Sequence, residues 1–140
     1  MDTQKFTPEY FNEFGKATLT EHLGIVITDV SEGSVVAEFT VTAQHLAPNG
    51  YLHAGSVVTL ADTACGYACV AHLPAPAHSF TTIELKSNHL GTAREGVVVA
   101  TAKVVHLGRT TQVWDATVVN QSTGKTIALF RCTQMLLYPA

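Results

Sequence analysis

An α+β fold, with a curved antiparallel sheet wrapped around one long central helix, is what this sequence predicts from three observations. The elements run helix, two strands, one long helix and then four strands. With no helices between the later strands, parallel β–α–β winding is disfavoured. The later strand runs reach about twelve residues, long beside the usual five or six, as suits a strongly curved sheet. The long helix carries small residues on its apolar face, so a sheet can approach its backbone closely.

Thr7-Pro8-Glu9 has the form of a helix start, with a hydroxyl cap, proline in the first turn and an acid beside it, and the helix is expected to run to about Lys16. Leu23–Val30 and Ser34–Thr42 are β-rich and separated by Ser31-Glu32-Gly33, a hairpin turn. In the second run Val35, Ala37 and Phe39 alternate with Val36, Glu38 and Thr40, the pattern of a partly buried strand. A polar loop from Gln44 to Leu52 leads into the long helix, Gly55 to about His72, which Pro74 and Pro76 cannot continue. Ser79–Ser87, Gly96–Leu107, Thr110–Asn120 and Lys125–Leu137 read as strands, with turns at Gly91 to Glu95, Gly108-Arg109 and Ser122-Thr123-Gly124. There is no repeat, low-complexity tract or linker, so residues 1–140 are expected to form one domain.

Apolar residues make up 46% of the chain and charged residues only 14%, against roughly a quarter in an average soluble domain. So sparsely charged a surface points to coverage by another subunit. The net charge of −3 and the scattered Lys and Arg argue against nucleic acid as a partner, while leaving room for a local cation on one phosphorylated ligand. Cys65, Cys69 and Cys132 are an odd count with no C-x-x-C pair and indicate no disulfide framework. The N-terminus lacks the apolar core of a signal peptide, and Thr59, Asp62, Thr63 and Gly66 interrupt the most apolar stretch, Val57–Leu73. The expectation is a protein of a reducing compartment, the cytoplasm, without a membrane partner.

On the long helix Val57, Leu60, Ala61, Ala64, Ala68 and Ala71 share one face, and Gly55, Thr59, Asp62 and Gly66 fall within a narrow arc opposite. A solvated helix residue is the commonplace explanation of an aspartate. Here the surrounding face has no Lys, Arg or Glu, so it does not have the composition of a solvated one. Asp is also a mediocre mid-helix residue and lies too far from the start to cap. A carboxylate in a semi-apolar cleft has a perturbable pKa and serves as base or nucleophile. Just upstream, His53-Ala54-Gly55 sits where the first helical N–H groups lack intrahelical partners, and those donors can hold a developing oxyanion. The two features together make an acyl-transfer site.

Asn49-Gly50-Tyr51-Leu52-His53-Ala54-Gly55, followed by Leu60-Ala61-Asp62-Thr63-Ala64 and Gly66, resembles the signature of hotdog-fold thioesterases of the phenylacetate-degradation (PaaI-like) type. The resemblance covers nearly the whole chain, with Thr82-Ile83-Glu84-Leu85-Lys86, Gly108-Arg109-Thr110 and Gly124-Lys125 similar to later family segments. It implies an acyl-CoA thioesterase without a cofactor or metal, acting on aryl- or medium-chain acyl groups, and assembled as a dimer that pairs into a tetramer. In the same terms Asp62 is nucleophile or general base, and the Ala54 N–H polarises the thioester carbonyl. His53 orients the loop or the thioester, and Thr82 of the partner subunit positions water. Gly55, Thr59, Gly66 and Tyr67 are expected along the substrate, and Gly108, Arg109, Thr110 and Arg94 against CoA. The chain departs from the pattern twice. Ala54 stands where the motif has glycine, which is strained if the backbone there has positive φ. Ala47 stands at the family's usual asparagine, with Asn49 as a possible replacement.

Among seven histidines, His45, His72, His78, His89 and His106 show no metal-ligand spacing, and surface or loop roles are expected for them. Cys65 and Cys69 read as small core residues and Trp114 as core or interface. Two other functions remain open on the same scaffold: an enoyl-CoA hydratase or dehydratase, and a non-catalytic acyl-CoA-binding module. The latter usually carries a DNA-binding extension, for which 140 residues leave no space.

Overall fold

The computed structural model describes residues 1–140. Helix α1 spans Pro8–Phe14 and α2 Leu19–His22; strands β1 (Val26–Ser31) and β2 (Ser34–Thr40) form a hairpin. After one 3₁₀ turn, Ala43–His45, comes α3, Ala54–Ala71, then β3 (Ser79–His89), β4 (Val97–Leu107), β5 (Thr111–Asn120) and β6 (Thr126–Leu137). The strands make one six-stranded antiparallel sheet in the order β1-β2-β4-β5-β6-β3. Helix α3 packs across one face of it, against β2, β4 and β5. This is the predicted α+β architecture.

The six α3 residues assigned from sequence to one apolar face are all buried. They meet inward-facing residues at alternate strand positions, among them Val35, Ala37 and Phe39 of β2, Val98, Ala100 and Ala102 of β4, and Trp114, Ala116 and Val118 of β5. By length and composition α3 would also pass as a membrane span, but half of it lies inside this core. Trp114 is fully buried, and its indole N–H donates to Gln112 Oε1 at 2.8 Å. The Gln112 amide in turn donates to the His72 carbonyl at 3.0 Å, tying the end of α3 to β5.

The sequence reading differs from the structure mainly near the N-terminus. Helix α1 is capped by the Thr7 hydroxyl as expected, but it stops at Phe14 with Gly15 as its C-cap. Residues 19–22 form an additional helical turn, and the strand expected from Leu23 begins at Val26. Gly24 at φ 67° reverses the chain between them, which a reading of Leu23-Gly24-Ile25 as continuous strand does not anticipate. The second strand ends at Thr40 because Val41 N–H turns back to the Gly96 carbonyl and residues 43–45 enter the 3₁₀ turn.

At the edge of the sheet, Thr82 and Leu85 of β3 pair with Gln134 and Cys132 of β6, whose side chains are buried on the α3 side. Thr82 and Leu85 therefore lie on that side too, yet both are exposed. A register shift between Thr82 and Glu84 turns Ile83 outward, 56% exposed. The edge strand is thus half-covered: α3 meets it at Phe80 but leaves Thr82 and Leu85 exposed.

If the Trp114 contacts anchor the core as described, Trp114→Ala lowers stability by about 3–5 kcal/mol. Urea unfolding followed by far-UV circular dichroism measures this; a loss below about 1 kcal/mol would contradict that placement.

Candidate active site

The start of α3 is set by His53. Its backbone is extended, and its ring Nδ1 accepts the Gly55 N–H at 2.7 Å, so the imidazole caps its own helix. With Nδ1 accepting, the ring hydrogen sits on Nε2, which is left as a donor. The Ser56 and Val57 amides reach the His53 carbonyl at 3.0 and 3.4 Å. The Ala54 amide has no acceptor in the chain. Of the donors at the positive end of α3, the one matched to the family's oxyanion role is thus the one left free. Ala54 does not have a positive φ, so the strain expected from alanine in place of glycine is absent.

Asp62 lies two turns further along. Its Oδ1 is buried and makes no hydrogen bond, and no cation pairs with it. Burial alone pushes its carboxyl above the ordinary carboxylate value. The first-turn face between them is less open than the sequence implies. The Thr59 hydroxyl donates to the Gly55 carbonyl at 2.8 Å, which commits its hydrogen to the helix. Gly66 is buried beneath Phe80, and Tyr67 stacks on Phe11 of α1 with centroids 4.6 Å apart. Tyr67 therefore belongs to an aromatic cluster with Phe11 and Phe14 as much as to the face of Asp62.

The loop before α3 is built from its own turns. Gly50, at φ 87°, donates its N–H to the Ala47 carbonyl at 2.9 Å. Asn49 Oδ1 accepts the Tyr51 N–H at 3.1 Å, a local turn bond. Asn49 is exposed and engaged in this local turn. The Arg94 guanidinium rests over the Tyr51 ring, 4.4 Å from its centroid, and Thr92 Oγ1 accepts the Leu52 N–H at 3.2 Å. The turn after β3 thus delivers one cation to the mouth of the loop.

Two predicted groups are not brought to this end of α3 within one chain. Gly108, Arg109 and Thr110 follow Leu107, which lines a cleft with His72 and Leu73 at the far end of a helix about 27 Å long. Thr82, on the edge strand, donates its hydroxyl to Gln134 Oε1 at 2.6 Å and makes no bond to Asp62.

His45, expected on the surface or in an open loop, is buried at 3% exposure. Its ring stacks on Phe39 with centroids 4.0 Å apart, its Nε2 donates to the Leu23 carbonyl at 2.6 Å, and its Nδ1 accepts the Thr42 N–H at 2.9 Å. Its own carbonyl receives both the His53 N–H and the Ser56 hydroxyl, each at 2.9 Å. The Thr42-x-x-His45 spacing of a capping box is the one local signal that marks it. His72 is likewise committed, with Nε2 accepting from Gly33 and Nδ1 donating to Ala68. The three cysteines are buried, and burial pushes the Cys69 thiol up to about 12.

The raised pKa of Asp62 has a defined sign in stability. Ionising it costs the folded state more than the unfolded one, so the cost is absent below the ordinary carboxyl value of 3.8 and complete above the folded value. Asp62→Asn is expected to raise Tm at neutral pH and to lose that gain as pH falls toward 3.8 in thermal melts. A variant less stable than wild type at neutral pH would show that the carboxylate is satisfied.

The model of the Thioesterase superfamily matches residues 49–127, the span from the α3 loop into β6. The acyl-coenzyme A thioesterase PaaI of Escherichia coli is 43% identical over 110 residues, covering 78% of this chain and 75% of PaaI. A 1,4-dihydroxy-2-naphthoyl-CoA hydrolase of Listeria monocytogenes is 36% identical over 82% of this chain and 92% of its own length. The crystal structure of a mutant thioesterase from Pseudomonas aeruginosa superposes with a TM-score of 0.89 at 31% identity, covering 94% of each chain. That of E. coli PaaI gives 0.79 at 34% identity, over 90% of this chain and 88% of that one. With a helix-wrapping antiparallel sheet, a free amide at the start of that helix and a buried carboxylate on it, the chain belongs to the thioesterase superfamily, as a hotdog-fold thioester hydrolase of the PaaI-like branch.

Proposed function

We propose that the protein hydrolyses the thioester of an aryl- or medium-chain acyl-CoA to the free acid and CoA, with Ala54 and Asp62 at the reacting centre. The observation that carries this reading is the buried, unpartnered Asp62 Oδ1 on the same helix whose first amide has no acceptor. The thioester carbonyl oxygen accepts the Ala54 N–H, where the helix dipole favours growing negative charge. Asp62 either takes a proton from water as the oxygen attacks the carbonyl carbon, or attacks it directly to form an anhydride that water then cleaves. In either route the C–S bond breaks, the thiolate of CoA leaves and collects one proton, and the water oxygen ends in the acid. In this reading the His53 Nε2–H serves the thioester and Arg94, at the mouth of the loop, meets a CoA phosphate. PaaI and the naphthoyl-CoA hydrolase bear names of acyl-CoA and aryl-CoA substrates, which supports this class here.

The site is shared between subunits in this proposal. Thr82 and Leu85 are exposed on the α3 side of the edge strand, where a second copy would cover them and place its Asp62 beside Thr82. Gly108, Arg109 and Thr110 would likewise serve a neighbour's CoA, and Thr59 and Gly55 flank the substrate near its carbonyl. Leu129 and Met135, 48% and 41% exposed on the opposite face of the sheet, are suited to bury a pair of dimers against each other as a tetramer.

Release of free thiol from a panel of acyl-CoAs tests the chemistry: Asp62→Ala should lower kcat by about 10²–10⁴-fold, and equal rates would remove Asp62 from it. For the assembly, sedimentation should give a multiple of the 14.9 kDa chain. Leu85→Arg should shift it toward monomer and reduce turnover together. A fully active monomer would refute the shared site.

A further inference from the structure

Asp62, Gly66 and Val70 follow one another at one-turn intervals along a single face of α3, so Val70 lies about 12 Å beyond the carboxylate. Val70, Ala71 and Leu73 line a cleft of ≈ 730 Å³ beneath Phe6 and Tyr10 of the N-terminal segment. Hydrolysis at Asp62, as described above, makes no use of this cleft.

Phe80 stands between the two. Its ring covers Gly66 so closely that a methyl group built there would lie 3.2 Å from Cζ and 4.0 Å from Cε2. Phe80 is fixed near the start of β3 by pairing with Leu136 and packs on the core. It follows directly on the segment holding Ala77 and His78, which forms a wall of the cleft. The glycine at position 66 thus makes room for an aromatic ring and leaves none beside the helix for anything else. One turn beyond Asp62 the face is blocked, and one turn beyond that it is open again.

We propose that Phe80 is the specificity-determining residue that ends the acyl pocket one helical turn beyond Asp62 and separates it from the cleft at Val70. The proposal rests on the reading that the acyl group lies beside Asp62. A thioester held at the Ala54 N–H directs its acyl group along the face toward Gly66. A short or flat group ends against the Phe80 ring, and a longer saturated chain collides with it. Removing the ring joins the pocket to a cleft lined by Val70, Leu73, Phe6 and Tyr10 together with the polar Asp2, Lys5 and His78, and each methylene newly buried against the apolar groups strengthens transition-state binding about fourfold.

The test compares wild type and Phe80→Ala on saturated acyl-CoAs from acetyl to palmitoyl by thiol release. The ratio of long-chain to short-chain kcat/KM should rise at least tenfold, and Val70→Trp added to Phe80→Ala should reverse the rise. A ratio keeps any loss of folded enzyme from counting, and Phe80→Leu, with the same direction and a smaller size, serves if the alanine variant does not fold. An unchanged ratio in a variant that still turns over short chains overturns the proposal. Dissociation constants for the same series, measured by calorimetry on Asp62→Asn with and without Phe80→Ala, read the pocket without turnover. A chain-length shift there, beside equal thiol release by wild type and Asp62→Ala, would fault the catalytic assignment and leave the pocket wall standing; no shift would fault the wall.

Discussion

Ala61, Ala64, Ala68 and Ala71 carry nothing beyond a methyl group, and for that reason the backbone of α3 can lie close against the curved sheet. Wrapping a sheet around so slender a helix requires long strands, and β3 to β6 are ten to twelve residues each. The same wrap decides what the opposite face of the helix meets. The sheet covers one side of α3, and on the other Asp62 Oδ1 is withdrawn from water without receiving a partner. Burial without compensation raises the carboxyl pKa, and the fold tolerates this because the core packing is extensive. The raised pKa of the carboxyl therefore follows from how the helix packs.

The helix start is arranged on a similar economy. A helix dipole contributes only about 0.3–1 kcal/mol at an exposed terminus, whereas a single aimed donor contributes about 10²–10³ in rate. In the proposed role, the aim of the Ala54 amide would therefore outweigh the dipole behind it. The His53 ring removes Gly55 from competition by taking its N–H. One amide is left unsatisfied, on the residue that follows a rigid cap.

Much of the fold could be read from residue patterns, because strand alternation and the two faces of α3 are local properties. Every long element lies within a few residues of its predicted bounds. What escaped depended on contacts between distant residues. Helix α2 is a single turn whose existence rests on Gly24 reversing the chain, and no periodicity marks it. In the candidate site, Asp62 stood out because an acid on a face without other charges is itself a sequence anomaly. His45 did not, since its burial is created by Phe39 and Leu23, six and twenty-two residues away. The stacking of Arg94 on Tyr51 and the bond between Thr82 and Gln134 join segments that sequence spacing cannot relate. Asn49 is the opposite case, a residue whose local turn chemistry accounts for it.

The carbonyl of His45 holds both the His53 amide and the Ser56 hydroxyl, while the His45 ring is clamped by Leu23, Phe39 and Thr42. The position of the free Ala54 amide is therefore inherited from the hydrophobic core through a single peptide group. Order at the start of α3 is established when the chain folds, and under the proposed function an arriving thioester has little left to organise there. The corollary is a long lever: looseness around Phe39 or the Leu23 carbonyl, on the far side of the loop, would register as misdirection of one N–H at the start of α3.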